Sequence, residues 1–294
     1  KPGDVAARGN FCTTDAQGRI TDRRAGRIAT ELCVALCEKL RRVTVDFAEI
    51  VIEPVKEHRF VLVLRGEGLS GRVSETDPQA LGAPPLHARA LEPSAERAAA
   101  AVNQFVERAR PLLRDAAPAN MVLLRGFDKQ PDIPLFPGTF RLRAAAVAAY
   151  PMYRGLARLV GMDVLDTGPT FADEIATLKR HWNNFDFFFL HYKDTDKAGE
   201  DGDFDAKVAA LERFDARLPD VLALGPDVLA VSGDHSTPSI LAAHGWQPVP
   251  ALVSSAYCGA DHVSRFTERD CAGGALGILP AQDLMPLLMA NALR

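Results

Sequence analysis

The stretch Phe185-Asp-Phe-Phe-Phe-Leu190 leads directly into His191-Tyr-Lys-Asp-Thr-Asp196-Lys-Ala-Gly-Glu200-Asp-Gly-Asp203, and these two runs indicate the class of fold. The first is a short continuous apolar run, which is typical of a strand buried on both faces of a parallel sheet. The second is a dense polar cluster just past that strand. Because open α/β sheets build their sites outside the carboxyl ends of strands, the pair predicts an α/β domain with a site here.

The C-terminal half repeats this arrangement. Ser232-Gly-Asp234-His235-Ser-Thr-Pro238 follows a second predicted strand at 227–231, and His244 precedes a third at 248–253. Apolar periodicity predicts helices at 144–160, 204–218 and 282–293. The sequence from about residue 143 therefore predicts a mostly parallel sheet with helices.

The N-terminal half has a different pattern. Helices are predicted at 27–42, with Thr21 or Asp22 as cap, and at 92–115; strands are predicted at 43–55 and 60–64, in a sheet that need not be parallel. A proline-rich linker is expected at 129–137. We therefore expect one domain at 1–142 and a second at 143–294.

Composition narrows the class of protein. The 294 residues carry a formal net charge of −4 and are 47% hydrophobic, which favours a globular protein without nucleic-acid or membrane partners. The five cysteines form no CxxC pair, so we expect free thiols in a reducing, cytoplasmic compartment. No apolar run approaches the roughly 20 residues of a membrane span, and no signal peptide is expected. The chain begins with Lys1 rather than Met, so a processed or truncated N terminus is expected.

Five side chains after the predicted strands could bind metal: Asp196, Glu200, Asp234, His235 and His244. The first two are four residues apart, so on a helix their carboxylates share one face. Carboxylate oxygens and imidazole nitrogens suit Mn, Zn or Mg ions. Taken singly, each group has another interpretation: a solvated turn, a surface Asp-His pair or a loop histidine. Taken together, they favour a metal site.

Seven stretches carry a family resemblance: GDVAARGNF, DRRAGR at 22–27, LVLRGEGLS at 62–70, ETDP at 75–78, YPMYRGLARLVGM at 150–162, KDTDKAGEDGDFDAKV, and SGDHSTP. In combination they resemble the archaeal-type cofactor-independent (2,3-bisphosphoglycerate-independent) phosphoglycerate mutases of the alkaline-phosphatase superfamily. The resemblance implies an alkaline-phosphatase-like α/β domain, with residues 1–142 forming an inserted lid. It also implies interconversion of 3-phosphoglycerate and 2-phosphoglycerate in glycolysis or gluconeogenesis, without 2,3-bisphosphoglycerate.

The resemblance also assigns the metal ligands. Asp196 and His244 resemble ligands of one divalent ion, and Asp234 and His235 resemble ligands of a second. Glu200 stands where the superfamily more usually has histidine. The family's phosphoryl-carrying serine and one further aspartate ligand are expected upstream of this chain, so an N-terminal segment is expected to be missing. The metal identity (Mn, Mg or Zn) and the oligomeric state stay open.

Substrate contacts are expected from the arginine-rich first half: Asp22, Arg23, Arg24, Arg27 and Arg65. Guanidinium forks suit phosphate and carboxylate, although the arginines after Asp22 could also only solvate a helix start.

Lys193 could neutralise a transferred phosphoryl group, or it could pair with Asp194 or Asp196. Two rival functions stay open: a metal-dependent phosphomonoesterase on the same fold, and a non-catalytic metal- or phosphoglycerate-binding protein.

Overall fold

The computed structural model describes residues 1 and 3–294 and divides the chain into two compact units, Lys1–Ile133 and Pro134–Arg294. The division falls upstream of the boundary expected after residue 142. The reason is the short helix Phe136–Phe140, which belongs to the second unit because the Phe136 ring packs on Phe187, with centroids 4.8 Å apart.

Unit 1 contains a five-stranded antiparallel sheet. The central strand β1 pairs with β2, β4 and β5, and β3 pairs with the outer edge of β4. Among the residues that the structure describes, two α-helices accompany the sheet. In chain order the elements are β1 Val5–Thr14, β2 Ile20–Asp22, α1 Thr30–Leu40, β3 Glu49–Lys56, β4 Arg59–Arg65, α2 Glu96–Leu113 and β5 Met121–Lys129.

One face of this sheet forms the core of unit 1 against both helices. Alternate β1 residues such as Ala7 and Phe11 point into it, and α2 contributes Val102 and Phe105 at helical spacing. Phe105 is fully buried, which stabilises the unit by about 1.5–3 kcal/mol relative to an exposed ring. Because successive side chains of β1 point to opposite faces, its other side chains lie on the opposite face of the sheet.

Unit 2 contains a parallel three-stranded sheet in the order β7-β6-β8 and a separate antiparallel pair, β9 with β10. The parallel sheet agrees with the predicted α/β class. In chain order the elements are α3 Phe136–Phe140, β6 Ala144–Val147, α4 Pro151–Leu159, β7 Asp163–Val164, α5 Phe171–His181, β8 Phe187–Leu190, α6 Asp194–Glu200, α7 Phe204–Asp215, α8 Leu218–Leu222, β9 Val228–Ser232, β10 Ala251–Ser255, α9 Glu268–Cys271 and α10 Leu284–Asn291.

Three details of the sequence prediction were wrong. The stretch predicted as one helix at 144–160 is strand β6 followed by helix α4, which begins at Pro151 after the extended Tyr150. Strand β8 is half-buried rather than buried on both faces. Helix α1 begins after Ala29, and neither Thr21 nor Asp22 caps it. Within the described residues, every helix is too short or too polar to cross a membrane.

Candidate metal centre

The segments after β8 and β9 bring the predicted ligands of unit 2 together. Three residues separate β8 from helix α6, which presents Asp196 and Glu200 about one helical turn apart. His244 Nε2 lies 3.7 Å from Asp196 Oδ1 and 3.6 Å from Glu200 Oε1. His235 completes the group, since one ligand atom each from Asp196, His235 and His244 lies within 4.8 Å of the others.

The spacing of these atoms fits a divalent cation. Metal–ligand bonds of about 2.0–2.2 Å place neighbouring donor atoms roughly 3–3.5 Å apart. His244 Nε2 lies 3.7 Å from Asp196 Oδ1 and 3.6 Å from Glu200 Oε1, so a small contraction would bring each of these two pairs to the spacing of ligands on one ion. The imidazoles of His235 and His244 stack with centroids 3.9 Å apart. Carboxylate oxygens and imidazole nitrogens form a donor set suited to Mn²⁺ or Zn²⁺.

Thr237 determines which nitrogen of His235 is available. Its Oγ1 lies 2.5 Å from Asp196 Oδ1 and 3.0 Å from His235 Nδ1. An ionised carboxylate has no proton to give, so the hydroxyl donates to Asp196 and accepts from Nδ1–H. The neutral imidazole then leaves the lone pair of Nε2 facing Asp234 Oδ2, 3.6 Å away. Two facing acceptors favour a cation between them, so Asp234 and His235 form a second potential ligand pair.

Close packing of α6 against the loop after β9 holds Thr237 in place. Thr237 is 4% exposed, and Lys207 Nζ donates to its carbonyl oxygen at 2.5 Å. A Cβ at Gly199 would lie 2.3 Å from that same oxygen, so only glycine permits this approach of helix to loop. This contact brings the segment containing Asp196 next to the segment containing His235.

Asp234 has its own supporting residue. The Tyr153 hydroxyl, from α4, donates a hydrogen bond to Asp234 Oδ2. Burial raises the pKa of Asp234, but this hydrogen bond and the adjacent His235 outweigh it, and the net pKa lies below the ordinary value. The Tyr153 ring stacks on His191 with centroids 3.6 Å apart, and burial lowers the pKa of His191 to about 4. Tyr153 is thereby fixed against a neutral imidazole.

Lys193 stands at the edge of the site. Its Nζ donates to Asp196 Oδ2 and lies 5.3 Å from the Tyr150 ring centroid. Burial raises the pKa of Asp196, but hydrogen bonds from Lys193 and Thr237 outweigh it and lower the net value. Of the two carboxylates expected as partners of Lys193, Asp194 and Asp196, it is Asp196 that accepts this hydrogen bond.

In unit 1 the arginines expected to bind substrate do not form one group. Arg23 forms a bidentate pair with Asp77, at 3.0 and 2.7 Å. Arg65 pairs instead with Asp4 and Glu49, at the far end of β4.

The remaining members of that set lie in one tight turn. Asp22 accepts backbone N–H bonds from Arg24 and Gly26, at 2.7 and 2.6 Å, and so shapes the turn. Arg24 and Arg27 are exposed on it.

Sequence reasoning missed the supporting residues of the centre: Tyr153, Lys207 and Thr237. Thr237 lies within the quoted SGDHSTP stretch, which was a usable signal. Tyr153 lies in the quoted stretch 150–162, but its contact with Asp234 joins residues 81 positions apart. A contact between residues so far apart in the chain depends on tertiary structure and leaves no local pattern in the sequence.

Comparison with known proteins places the chain in a family. Residues 1–120 match the family described as 2,3-bisphosphoglycerate-independent phosphoglycerate mutase, and residues 67–291 match the metalloenzyme superfamily. A Thermus thermophilus protein named "probable 2,3-bisphosphoglycerate-independent phosphoglycerate mutase" is 48% identical over 99% of this chain and 73% of its own length. An Aquifex aeolicus protein of the same name is 47% identical over 100% of this chain and 75% of its own.

Two solved structures are similar as well. The cofactor-independent phosphoglycerate mutase of Thermoplasma acidophilum matches with a TM-score of 0.67 and 29% identity, over 99% of this chain and 77% of its own. A Pyrococcus horikoshii protein matches with a TM-score of 0.80 and 26% identity, over 98% of this chain and 73% of its own. Since the sequence relatives exceed 45% identity over nearly the whole chain, the chain belongs to the 2,3-bisphosphoglycerate-independent phosphoglycerate mutase family, within the metalloenzyme superfamily.

Proposed function

We propose that this chain interconverts 3-phosphoglycerate and 2-phosphoglycerate without 2,3-bisphosphoglycerate, as an isomerase of glycolysis and gluconeogenesis. The observation that carries the proposal is the convergence of Asp196, His235 and His244 within 4.8 Å in a chain of this family. A glycolytic role would place the protein in the cytoplasm. The substrate is a small phosphorylated acid, and no macromolecular partner is required.

We assign the ligands to two divalent ions. Asp196, Glu200 and His244 would hold one, and Asp234 with Nε2 of His235 would hold the other. When bound, such ions polarise phosphoryl oxygens and lower the pKa of a coordinated hydroxyl. The Thr237 hydroxyl would hold the proton of His235 on Nδ1 and so leave Nε2 to bind the ion. Tyr153 would orient Asp234.

Transfer between two positions of one substrate requires a carrier, and we propose a serine hydroxyl for it. A covalent phosphoserine divides one difficult transfer into two easier ones. Lys193 would supply positive charge to the phosphoryl oxygens in both steps. Unit 1 would act as the lid that binds the phosphoglycerate and excludes water, because water in the site would turn a mutase into a phosphatase.

A coupled assay tests the function. Formation of 2-phosphoglycerate from 3-phosphoglycerate is followed with added Mn²⁺ and without 2,3-bisphosphoglycerate. The natural protein is used at its full length, because the chain studied spans about three quarters of the length of the relatives it matches. Mutase turnover that is lost in Asp234→Ala supports the proposal. Release of inorganic phosphate without mutase turnover would favour the phosphomonoesterase instead, and metal binding without either activity would favour a binding protein.

A further inference from the structure

Glu174 is a buried carboxyl of unit 2 that lies outside the ligand sets assigned above. It belongs to the first turn of α5 and is 3% exposed. Its Oε1 accepts the Ala149 N–H at 2.6 Å, just beyond the carboxyl end of β6. Such a bond between a carboxyl group and a backbone N–H is among the stronger hydrogen bonds of a protein. It joins α5 to the turn at 148–150.

The turn at 148–150 leads directly to a residue of the metal centre. Pro151 opens α4, so Tyr153 lies in the first turn of that helix. The Tyr153 side chain is buried, and its hydroxyl donates to Asp234 Oδ2. Three residues, 150–152, separate the N–H that Glu174 accepts from the tyrosine that contacts Asp234. A displacement of the turn would therefore displace Tyr153.

The start of α4 depends on contacts made outside its own first turn. Within the described residues, no side chain caps this helix, and Pro151 has no N–H to be capped. Two side chains hold the turn before it. Arg154, from α4 itself, donates through Nη1 to the Ala148 carbonyl at 3.4 Å. Glu174 accepts the Ala149 N–H at the shorter distance of 2.6 Å and comes from another helix. Glu174 therefore fixes the turn relative to the rest of unit 2.

An acid at this position is costly for the fold. Burial raises the pKa of Glu174 to about 7, and the negative charges of Asp194 and Asp173 act in the same direction. The hydrogen bond from Ala149 opposes this rise without cancelling it. Buried acids with strongly shifted pKa values are concentrated at functional sites. The cost agrees with a role for Glu174 beyond packing.

We propose that Glu174 is a positioning residue of the metal centre: by holding the turn at 148–150 it sets the place of the Tyr153 hydroxyl against Asp234. Glu174 acts on Asp234 only through Tyr153. Its effect on metal binding rests on the proposed function, which assigns Asp234 and His235 to one ion. The position of Tyr153 itself does not depend on that assignment.

Mn²⁺ titration of the natural protein at its full length tests this role. Glu174→Met keeps the approximate length of the side chain but loses the acceptor, and Glu174→Asp keeps the acid but is one methylene shorter. We expect each to bind the ion at Asp234 about tenfold more weakly, as Tyr153→Phe should. Glu174→Gln keeps an acceptor at the same reach and should bind as the unsubstituted protein does. Two variants without the contact keep the test decisive if one of them does not fold.

A double variant separates positioning from a general loss of stability. When Glu174→Met is combined with Tyr153→Phe, we expect no loss of affinity beyond the tenfold of either change alone, because both act through one hydrogen bond. Independent structural effects would multiply to about a hundredfold loss and would overturn the proposal.

Asp173→Ala is the matched control on the same helix. Asp173 closes the capping box of α5 with Thr170, so its loss should lower the temperature of unfolding. The hydrogen bond between Glu174 and Ala149 is left in place, and the Mn²⁺ affinity should not change. A fall in Mn²⁺ affinity equal to that of Glu174→Met would overturn the proposal, because destabilising α5 would then be a sufficient cause.

Crystal structures of the metal-free variants judge the geometry without any ion. We expect the Tyr153 hydroxyl to lie beyond about 3.5 Å from Asp234 Oδ2 in Glu174→Met and within hydrogen-bond distance in Glu174→Gln. An unmoved Tyr153 in Glu174→Met would overturn the proposal. If the unsubstituted protein bound no Mn²⁺ at Asp234, the metal assignment of the proposed function would fail, and these structures would still decide the role of Glu174.

Discussion

The Thr237 hydroxyl donates to Asp196 Oδ1 across 2.5 Å, although the two residues are 41 positions apart in the chain. This bond leaves the hydroxyl oxygen free to accept from His235 Nδ1, 3.0 Å away. One small side chain therefore orients a ligand of each proposed metal ion. Residues that orient metal ligands in this way usually matter almost as much as the ligands themselves.

Replacing Thr237 should weaken metal binding without removing a ligand. Thr237→Val keeps the shape but loses the hydroxyl, so we expect Mn²⁺ affinity to fall about 10- to 100-fold, as for other residues that orient ligands. Thr237→Ser retains the hydroxyl and should bind nearly as the unsubstituted chain does. Titration with Mn²⁺, followed by electron paramagnetic resonance, measures both. Equal affinity in the valine variant would remove the role assigned to Thr237.

Tyr153 should affect one metal ion only. Tyr153→Phe removes the hydrogen bond to Asp234 and keeps the ring that stacks on His191. We expect about tenfold weaker binding of the ion held by Asp234 and His235, with the other ion unaffected. The stoichiometry and the two affinities can be read from the same titration. A uniform loss at both sites would indicate a general disturbance of the fold instead.

Glu200 offers a test of metal preference. Its Oε1 lies 3.6 Å from His244 Nε2. Glu200→His should keep metal binding and shift its preference from Mn²⁺ toward Zn²⁺, since imidazole is the softer donor. Glu200→Ala should weaken binding of the ion assigned to Asp196, Glu200 and His244. Competition between the two metals, measured by equilibrium dialysis, checks this. An unchanged preference and affinity in both variants would show that Glu200 is not a ligand.

Residue types and their positions beside predicted strands predicted Asp196, Asp234, His235 and His244 as metal ligands. The structure brings these side chains together, and their binding of metal stays a prediction. Residues 144–147 were misjudged because alanine favours helices, whereas burial of all four residues between β7 and β8 stabilises a strand. The intrinsic helix propensity of a residue contains no information about such tertiary contacts.

The arginines show the same limit in unit 1. Arg23 was predicted to bind substrate because a guanidinium fork suits phosphate and carboxylate, yet it pairs with Asp77, which lies 54 positions away in the chain. Arg8 attracted no prediction, since a single charged residue in a strand is an ordinary surface feature. Its direct opposition to Arg125 is a property of strand register, which depends on the bulge near Arg8.

Glu174 should make stability depend on pH. It is 3% exposed, accepts the Ala149 N–H at 2.6 Å, and burial raises its pKa from 4.5 to about 7. Because the pKa of this carboxyl is higher in the folded state than in the unfolded state, the protonated carboxyl stabilises the fold fully below pH 4.5. This stabilisation is lost as the pH rises to about 7. Relative to Glu174→Gln, which can accept the same bond, the chain should lose about 3 kcal/mol across that interval. Urea unfolding at several pH values measures it, and parallel profiles would contradict it.

Crystals grown with Mn²⁺ and measured near its absorption edge test the central claim, that five side chains of unit 2 hold two divalent ions. We expect one anomalous peak bounded by Asp196, Glu200 and His244. We expect a second peak between Asp234 and Nε2 of His235. Peaks elsewhere, or no peak within bonding distance of these five residues, would contradict this assignment of the ligands.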